Sequence, residues 1–367
     1  MLGIGRGVSQ IERLRISSGT QTTAMYCSNV DTLEDEVDRI ATETGFSGVV
    51  RVDRGDNVEL AKAYGMAHRG LQVANTVDTQ FGVASAVKGL TALAVVSLIV
   101  DGALELSTPA RLVLGDDLPL IDDAVTVEHL LSHRSGIGDY LDEDAHPDIS
   151  DYVMPVPVHQ LANTEQYLVA LDGHPAKFKP GDDFSYCNGG FVVLALIAER
   201  VSGVPFHELV RERVCEPAGM IDSAFLRSDE LPGRAALGYL EIDGVIRSNI
   251  LHLPVRGNGD GGIYTTVADV RRFWIALFGG RIVPEEWVAE MVRPRSVLSE
   301  KERYGLGFWL AGSGEAVRLE GYDAGVSFRS WHHPTSRLTH TVISNTSEDT
   351  WRVTRALYER LSTDQTA

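Results

Sequence analysis

Ser85 and Lys88 stand three residues apart at the head of the most apolar segment of the chain, residues 90–100. On a helix, positions three apart share a face, so the Lys88 amine can reach the Ser85 hydroxyl. A lysine held in apolar surroundings loses the hydration of its ammonium and its pKa falls; the neutral amine can then accept the serine proton. A second polar cluster, Tyr186-Cys187-Asn188, follows the turn Lys179-Pro180-Gly181-Asp182 and precedes an apolar run from Phe191. Tyr186 can relay a proton or, as a phenolate beside a cation, act as the base, while Asn188 can donate its amide to a substrate carbonyl. The same tripeptide also fits a buried tyrosine with one hydrogen bond and a helix N-cap at Asn188. Cys187 reads as a small cleft or core side chain.

The elements that must position these groups are legible in the periodicity. Leu33, Val37 and Ile40 share one helical face and Gly45 closes the segment, which predicts a helix over 32–44. Runs 46–54 and 58–64, separated by Gly55-Asp56-Asn57, predict a hairpin. Helical patterns then dominate 86–101, 126–132, 164–171, 190–202 and 206–215. Strand signals return at 304–311, 316–320, 326–332 and 338–345, and 349–361 predicts a closing helix. That order predicts an α+β fold. One antiparallel sheet is assembled from both ends of the chain, 32–84 and 250–367, and flanked by helices; the mainly helical region 85–249 is inserted, and the site lies in the cleft between them. Residues 1–31 show no clear period and are expected to form a loosely ordered extension.

Five ordered segments resemble the serine β-lactamase-like hydrolases, a family of class C β-lactamases, D-alanyl-D-amino-acid peptidases, related esterases and acyltransferases. They are 81–88 around Ser85, 130–137 around His133, the Tyr186-x-Asn188 tripeptide, 261–269, and Tyr304-Gly305-Leu306-Gly307-Phe308. The resemblance implies the β-lactamase/transpeptidase fold and a two-step acyl transfer. Ser85 attacks a carbonyl, Lys88 and Tyr186 shuttle its proton, and the Ser85 N–H at a helix start supplies one oxyanion donor. The third motif departs from the family pattern. Alignment on Ala324-Gly325-Val326 places Leu319-Glu320-Gly321 where the family carries Lys-Thr-Gly or His-x-Gly, so the cation that grips a substrate carboxylate is missing. Gly321 still permits close approach of a substrate, and the Tyr322 N–H is the second expected oxyanion donor. Arg318, Arg329 or His332 are the candidates to replace the cation.

Composition narrows the partners. Asp and Glu total 51 against 33 Lys and Arg, a formal charge of −18, which disfavours nucleic acid and anionic lipid as partners. Three cysteines, Cys27, Cys187 and Cys215, without CxxC spacing support neither a disulfide framework nor a zinc site. Polar residues interrupt the first 27 positions as a secretory signal, so a cytoplasmic location is expected. His332-His333 lacks a nearby third ligand, and no metal or other cofactor is expected. His133 is read as structural. Gly257, Gly259 and Gly262 form a GxGxxG that joins no strand to a helix and reads as a loop. The expected activity is a serine hydrolase acting on a small-molecule ester or amide, with esterase preferred over peptidase or β-lactamase. Acyl transfer to a small-molecule hydroxyl and a non-catalytic ligand-binding or sensor protein are the alternatives.

Overall fold

The computed structural model describes residues 32–363 except 144, 146, 147, 150 and 151. The expected extension over 1–31, with Cys27, falls outside the described residues. Helix α1, Leu33–Thr44, begins on a capping box in which Thr32 Oγ1 accepts from the Asp35 N–H and the Asp35 carboxylate accepts from the Thr32 N–H. It ends at Gly45 with φ of 70°, a left-handed position that glycine adopts without a Cβ penalty.

The main sheet has eight antiparallel strands: β1 Gly48–Arg54, β2 Asn57–Tyr64, β3 Ser296–Val297, β4 Glu302–Tyr304, β5 Trp309–Ala311, β6 Val317–Asp323, β7 Val326–His333 and β8 Leu338–Ser344. Their order is β2-β1-β8-β7-β6-β5-β4-β3, so the first hairpin docks on the last strand, with Gly48 opposite Ser344 and Arg54 opposite Leu338. Alternation sorts the side chains between two cores. Val49, Leu319, Phe328 and Ile343 face the helical part of the molecule. Val50, Val52, Leu338 and Val342 face α1 and the last helix, whose Val353, Leu357 and Leu361 complete that layer.

The segment expected as one strand over 304–311 is two, β4 and β5, joined by a loop. A Cβ on Gly305 would lie 2.1 Å from the Met291 carbonyl oxygen and one on Gly307 2.4 Å from the Ala92 methyl, so this loop presses on neighbouring helices where a straight strand cannot. The inserted part contains α2, Val87–Val100, and α3, Asn188–Ser202, both almost wholly buried. It also holds a hairpin, Tyr239–Ile242 with Val245–Ser248, that the sequence pattern did not announce. Two further unannounced helices follow, α4 at Val267–Phe278 and a short one at Glu285–Met291, and α5, Thr350–Thr363, closes the fold. Among the described residues no single helix is long and apolar enough to cross a membrane.

Candidate active site

Ser85 sits on a turn that two short strands deliver. Phe81 pairs with Thr265 and Gly82 with Tyr264, and the Val83 N–H then donates to the Ile263 carbonyl at 3.1 Å. Ala84 adopts a left-handed φ of 47°, a conformation costing a non-glycine residue about 1–2 kcal/mol, and its carbonyl is held by the Gly262 N–H at 3.3 Å. A single 3-10 turn, Ala84–Ala86, feeds α2 and leaves Ser85 partly exposed at its head.

One turn along, Lys88 is 2% exposed. Its Nζ lies 2.9 Å from Ser85 Oγ, 2.8 Å from Asn188 Oδ1 and 2.7 Å from the Asp260 carbonyl oxygen. The last two groups can only accept, so they take two N–H donors; the remaining position faces a hydroxyl that can either give or receive a proton. Burial holds the Lys88 pKa below the ordinary lysine value, against the opposing charges of Asp260, Glu143, Asp139 and Asp323.

The glycine-rich segment 257–262 is the loop expected from its context. A Cβ on Gly259 would lie 2.2 Å from the Phe191 carbonyl oxygen, and the loop is tied by Asn258 N–H to the Gly261 carbonyl at 2.8 Å and Thr91 Oγ1 to the Gly259 carbonyl at 2.7 Å. Its product is the Asp260 carbonyl aimed at Lys88.

Tyr186 stands over the same amine, its ring centroid 4.8 Å from Lys88 Nζ, with the Ser85 side chain beside it. Trp309 stacks on it at 6.0 Å and His133 packs at 4.4 Å. Burial, with the nearby Glu143 charge, drives the phenol well above its usual pKa, so it is a neutral hydroxyl and not a phenolate. His133 is buried, kept neutral by desolvation, and accepts the Cys187 N–H at Nδ1. That is a positioning role for the tripeptide. Burial also pushes the Cys187 thiol upward, away from reactivity.

Asn188 is not the helix cap. Cys187 holds that place, its sulfur accepting the Gly190 N–H, while Asp139 accepts the N–H groups of Asn188 and Gly189 at 2.6 and 2.8 Å. The Asn188 amide nitrogen donates to the Leu141 carbonyl and to Glu143 Oε1, both at 3.0 Å. A substrate carbonyl reaches that amide only by displacing Glu143.

Strand β6 passes directly beside the turn that carries Ser85. A Cβ on Gly321 would fall 1.9 Å from the Val83 carbonyl oxygen and 3.0 Å from Ser85 N. In a hairpin with a two-residue turn the flanking pair, Asp323 with Val326, exchanges both hydrogen bonds and the next pair exchanges none. The Tyr322 N–H is therefore directed away from β7, and β5 ends its pairing at Arg318, which leaves this donor open beside the Ser85 N–H. The side chains of the third motif divide by parity. Leu319 is buried against the core, whereas Glu320 faces the opposite side and pairs with Arg318 and Arg329. The three candidate replacement cations are elsewhere: Arg318 lies over Trp309 and Trp331, Arg329 over Trp351, and His332 stacks on Trp274. None lines the cleft, whose ionisable walls include Glu143, Asp260 and Asp323. These three acids and Tyr140, whose hydroxyl donates to the Asp260 carboxylate, were not singled out by sequence; Tyr140 and Glu143 share one loop, while Asp260 and Asp323 come from another loop and from β6, so no single spacing rule links the set.

A Ser-Lys-Tyr constellation around a buried lysine, at the junction of a helical region and an antiparallel sheet, defines a serine β-lactamase-type architecture. Residues 31–365 match the family model described as Beta-lactamase, and the chain belongs to that family. A putative penicillin-binding protein of Bacillus subtilis, PbpX, is 28% identical over 272 residues, covering 73% of this chain and 63% of that one. Esterase EstB of Burkholderia gladioli is 29% identical over 231 residues, covering 59% of this chain and 55% of the esterase. The chain thus spans less than two thirds of either curated relative. The solved structure of a penicillin-binding protein from Bacillus halodurans superposes with a TM-score of 0.84 at 34% identity, covering 88% of this chain and 99% of that one.

Proposed function

We propose that this protein is a serine hydrolase that cleaves esters or amides through an acyl-Ser85 intermediate. The observation that carries the reading is the buried Lys88 amine, with two acceptors fixed on it and Ser85 Oγ at its third position. Neutral Lys88 takes the Ser85 proton as the Oγ–C bond forms, and the charge that develops on the carbonyl oxygen meets the N–H groups of Ser85 and Tyr322. Collapse breaks the bond to the leaving group, which receives the proton from Lys88 by way of the Tyr186 hydroxyl. Water then attacks the acyl carbon, gives its proton back along the same route, and Ser85 is released with its proton restored.

An esterase is preferred over a peptidase or β-lactamase because Leu319 is apolar where a carboxylate anchor would stand, and among the described residues no arginine or lysine lines the cleft. Kinship with EstB supports the preference. Intact-mass spectrometry after a fluorophosphonate, with p-nitrophenyl acetate and a penicillin assayed in parallel, tests it. The expected result is one adduct, absent from Ser85→Ala, and turnover of the ester well above that of the penicillin. A folded protein that takes no adduct would sink the catalytic reading in favour of a binding or sensor protein; faster penicillin turnover would overturn the esterase preference alone.

A further inference from the structure

Asp139 is 7% exposed and stands behind the cleft wall, which it does not line, yet the setting of Lys88 depends on it. Its Oδ2 accepts the Asn188 N–H at 2.6 Å and its Oδ1 the Gly189 N–H at 2.8 Å, the first two donors of α3. Oδ1 also accepts the Leu141 N–H at 3.2 Å, two residues along its own loop. One carboxylate thus ties the head of α3 to segment 139–141. The Asn188 side chain spans the same join: its nitrogen donates to the Leu141 carbonyl at 3.0 Å, which leaves its oxygen turned to Lys88 Nζ at 2.8 Å. Turned over, the amide would set its oxygen against the Leu141 carbonyl and its nitrogen against the amine. The join is also tight. A Cβ on Gly138 would lie 2.6 Å from the His174 carbonyl carbon, and one on Gly189 3.2 Å from Asp139 Oδ1.

Three N–H donors converging on two oxygens call for a carboxylate, which only accepts. A protonated carboxyl turns one oxygen into a donor, a poor partner for an N–H at 2.6 Å. We propose that Asp139 is a positioning residue for the Ser85–Lys88 pair: ionised, it fixes the Asn188 oxygen on the amine; protonated, it lets the head of α3 shift, and the amine loses that acceptor. This rests on the serine-hydrolase reading of the site and deepens it, adding a second required ionisation to the neutral Lys88. Burial pushes the Asp139 carboxyl up to about 6 against its three N–H donors, and the Asp260 charge adds to the rise. The holding form is therefore present above that pH and lost below it. The other groups facing Asp139 are Lys88 on α2, Cys187 at the head of α3, Lys177, an ammonium paired with Asp142, and Tyr140 and Tyr152 from its own segment. Burial raises the Cys187 thiol and both phenols, which stay neutral, so Lys88 and Asp260 are the facing groups able to change charge as the pH falls.

The rate constant for labelling of Ser85 by an uncharged fluorophosphonate, followed by intact-mass spectrometry between about pH 4.5 and 9, reads the nucleophile with no substrate needed. In wild type the logarithm of that constant is expected to reach an acid slope of about two, one for each required ionisation. In Asp139→Asn the slope should drop to about one. Labelling of that variant near pH 8 should be about tenfold to a hundredfold slower, with the half-saturating reagent concentration within about threefold of wild type. Asp260→Asn and Asp323→Asn should keep the steeper limb, because neither carboxyl accepts an N–H from the head of α3. In wild type the amide proton resonances of Asn188 and Gly189 should titrate together with a midpoint of about 6, a reading that needs no variant to fold. Amide protons that do not move over this range, a limb equally steep in folded Asp139→Asn, or a limb lost in Asp260→Asn instead overturns the role of Asp139 and leaves the hydrolase reading standing. Folded wild-type protein that takes no label at any pH overturns the hydrolase reading itself, and this role with it.

Discussion

At the scale of single residues the site turns on which group holds the proton. The Lys88 ammonium cannot accept one, so activity belongs to the neutral amine, and burial lowers the pH at which that form appears. The expected profile of kcat/KM therefore rises with pH through a pKa below the usual lysine value of about 10.4, and is not a mirror-image loss on the alkaline side from Tyr186, whose phenol stays protonated. Lys88→Met should abolish the rising limb and lower kcat by about 10²–10⁴. A limb unchanged in Lys88→Met would move the base elsewhere. Ser85 and Lys88 were legible in the sequence because the contact is one helical turn long and needs no knowledge of the fold. Their partners were not. The Asp260 carbonyl reaches Lys88 from 172 positions away, and a backbone carbonyl carries no residue signature at all. Asn188 was found by its type and neighbours, but its amide was expected to be free for a substrate, and only tertiary structure reveals Glu143 already on it.

At the scale of elements, β6 does two jobs that alternate along it. Its inward positions, Leu319, Gly321 and Asp323, face the nucleophile turn and cleft, while Arg318, Glu320 and Tyr322 turn to the far face, where Tyr322 meets Glu348 and Trp351. The strand's existence followed from alternation, yet its phase relative to the cleft needed the pairing with β7, which is why the fate of Arg318 and Glu320 could not be read in advance. Helix α4 escaped notice for a related reason: the glycines before it signal a loop, and its cap, Thr266 accepting the Asp269 N–H, becomes visible only once the helix is known. Gly321→Ala tests the strand directly. Its methyl would meet the Val83 carbonyl at 1.9 Å, so the turn bearing Ser85 must shift and the two oxyanion donors part. The expected loss in kcat is about 10²–10³, with KM much less affected. Activity within threefold of wild type would show that the two N–H groups do not act together.

At the scale of the whole molecule, the sheet is closed by pairing β1 with β8, strands from opposite ends of the described chain, and each face is covered by a different core. This architecture was readable because hairpin, helices and returning strands appear in an order that few topologies accept. The added hairpin at 239–248 and the split of β4 from β5 were not, since both depend on what each segment packs against. The two-core arrangement implies that stability and catalysis can be separated. Leu357 on α5 is 1% exposed and packs with Val353, Leu361 and the β1–β8 side chains on the face remote from Ser85. Leu357→Ala should cost about 2–5 kcal/mol by removing buried volume that the layer cannot refill, and lower the thermal midpoint accordingly. Well below that midpoint, the rate of Ser85 labelling by a fluorophosphonate should stay within about twofold of wild type, because the turn, β6 and Lys88 belong to the other core. A labelling rate that falls in step with stability would mean that the outer helix layer sets the geometry of the nucleophile through the sheet, and that the two cores act as one.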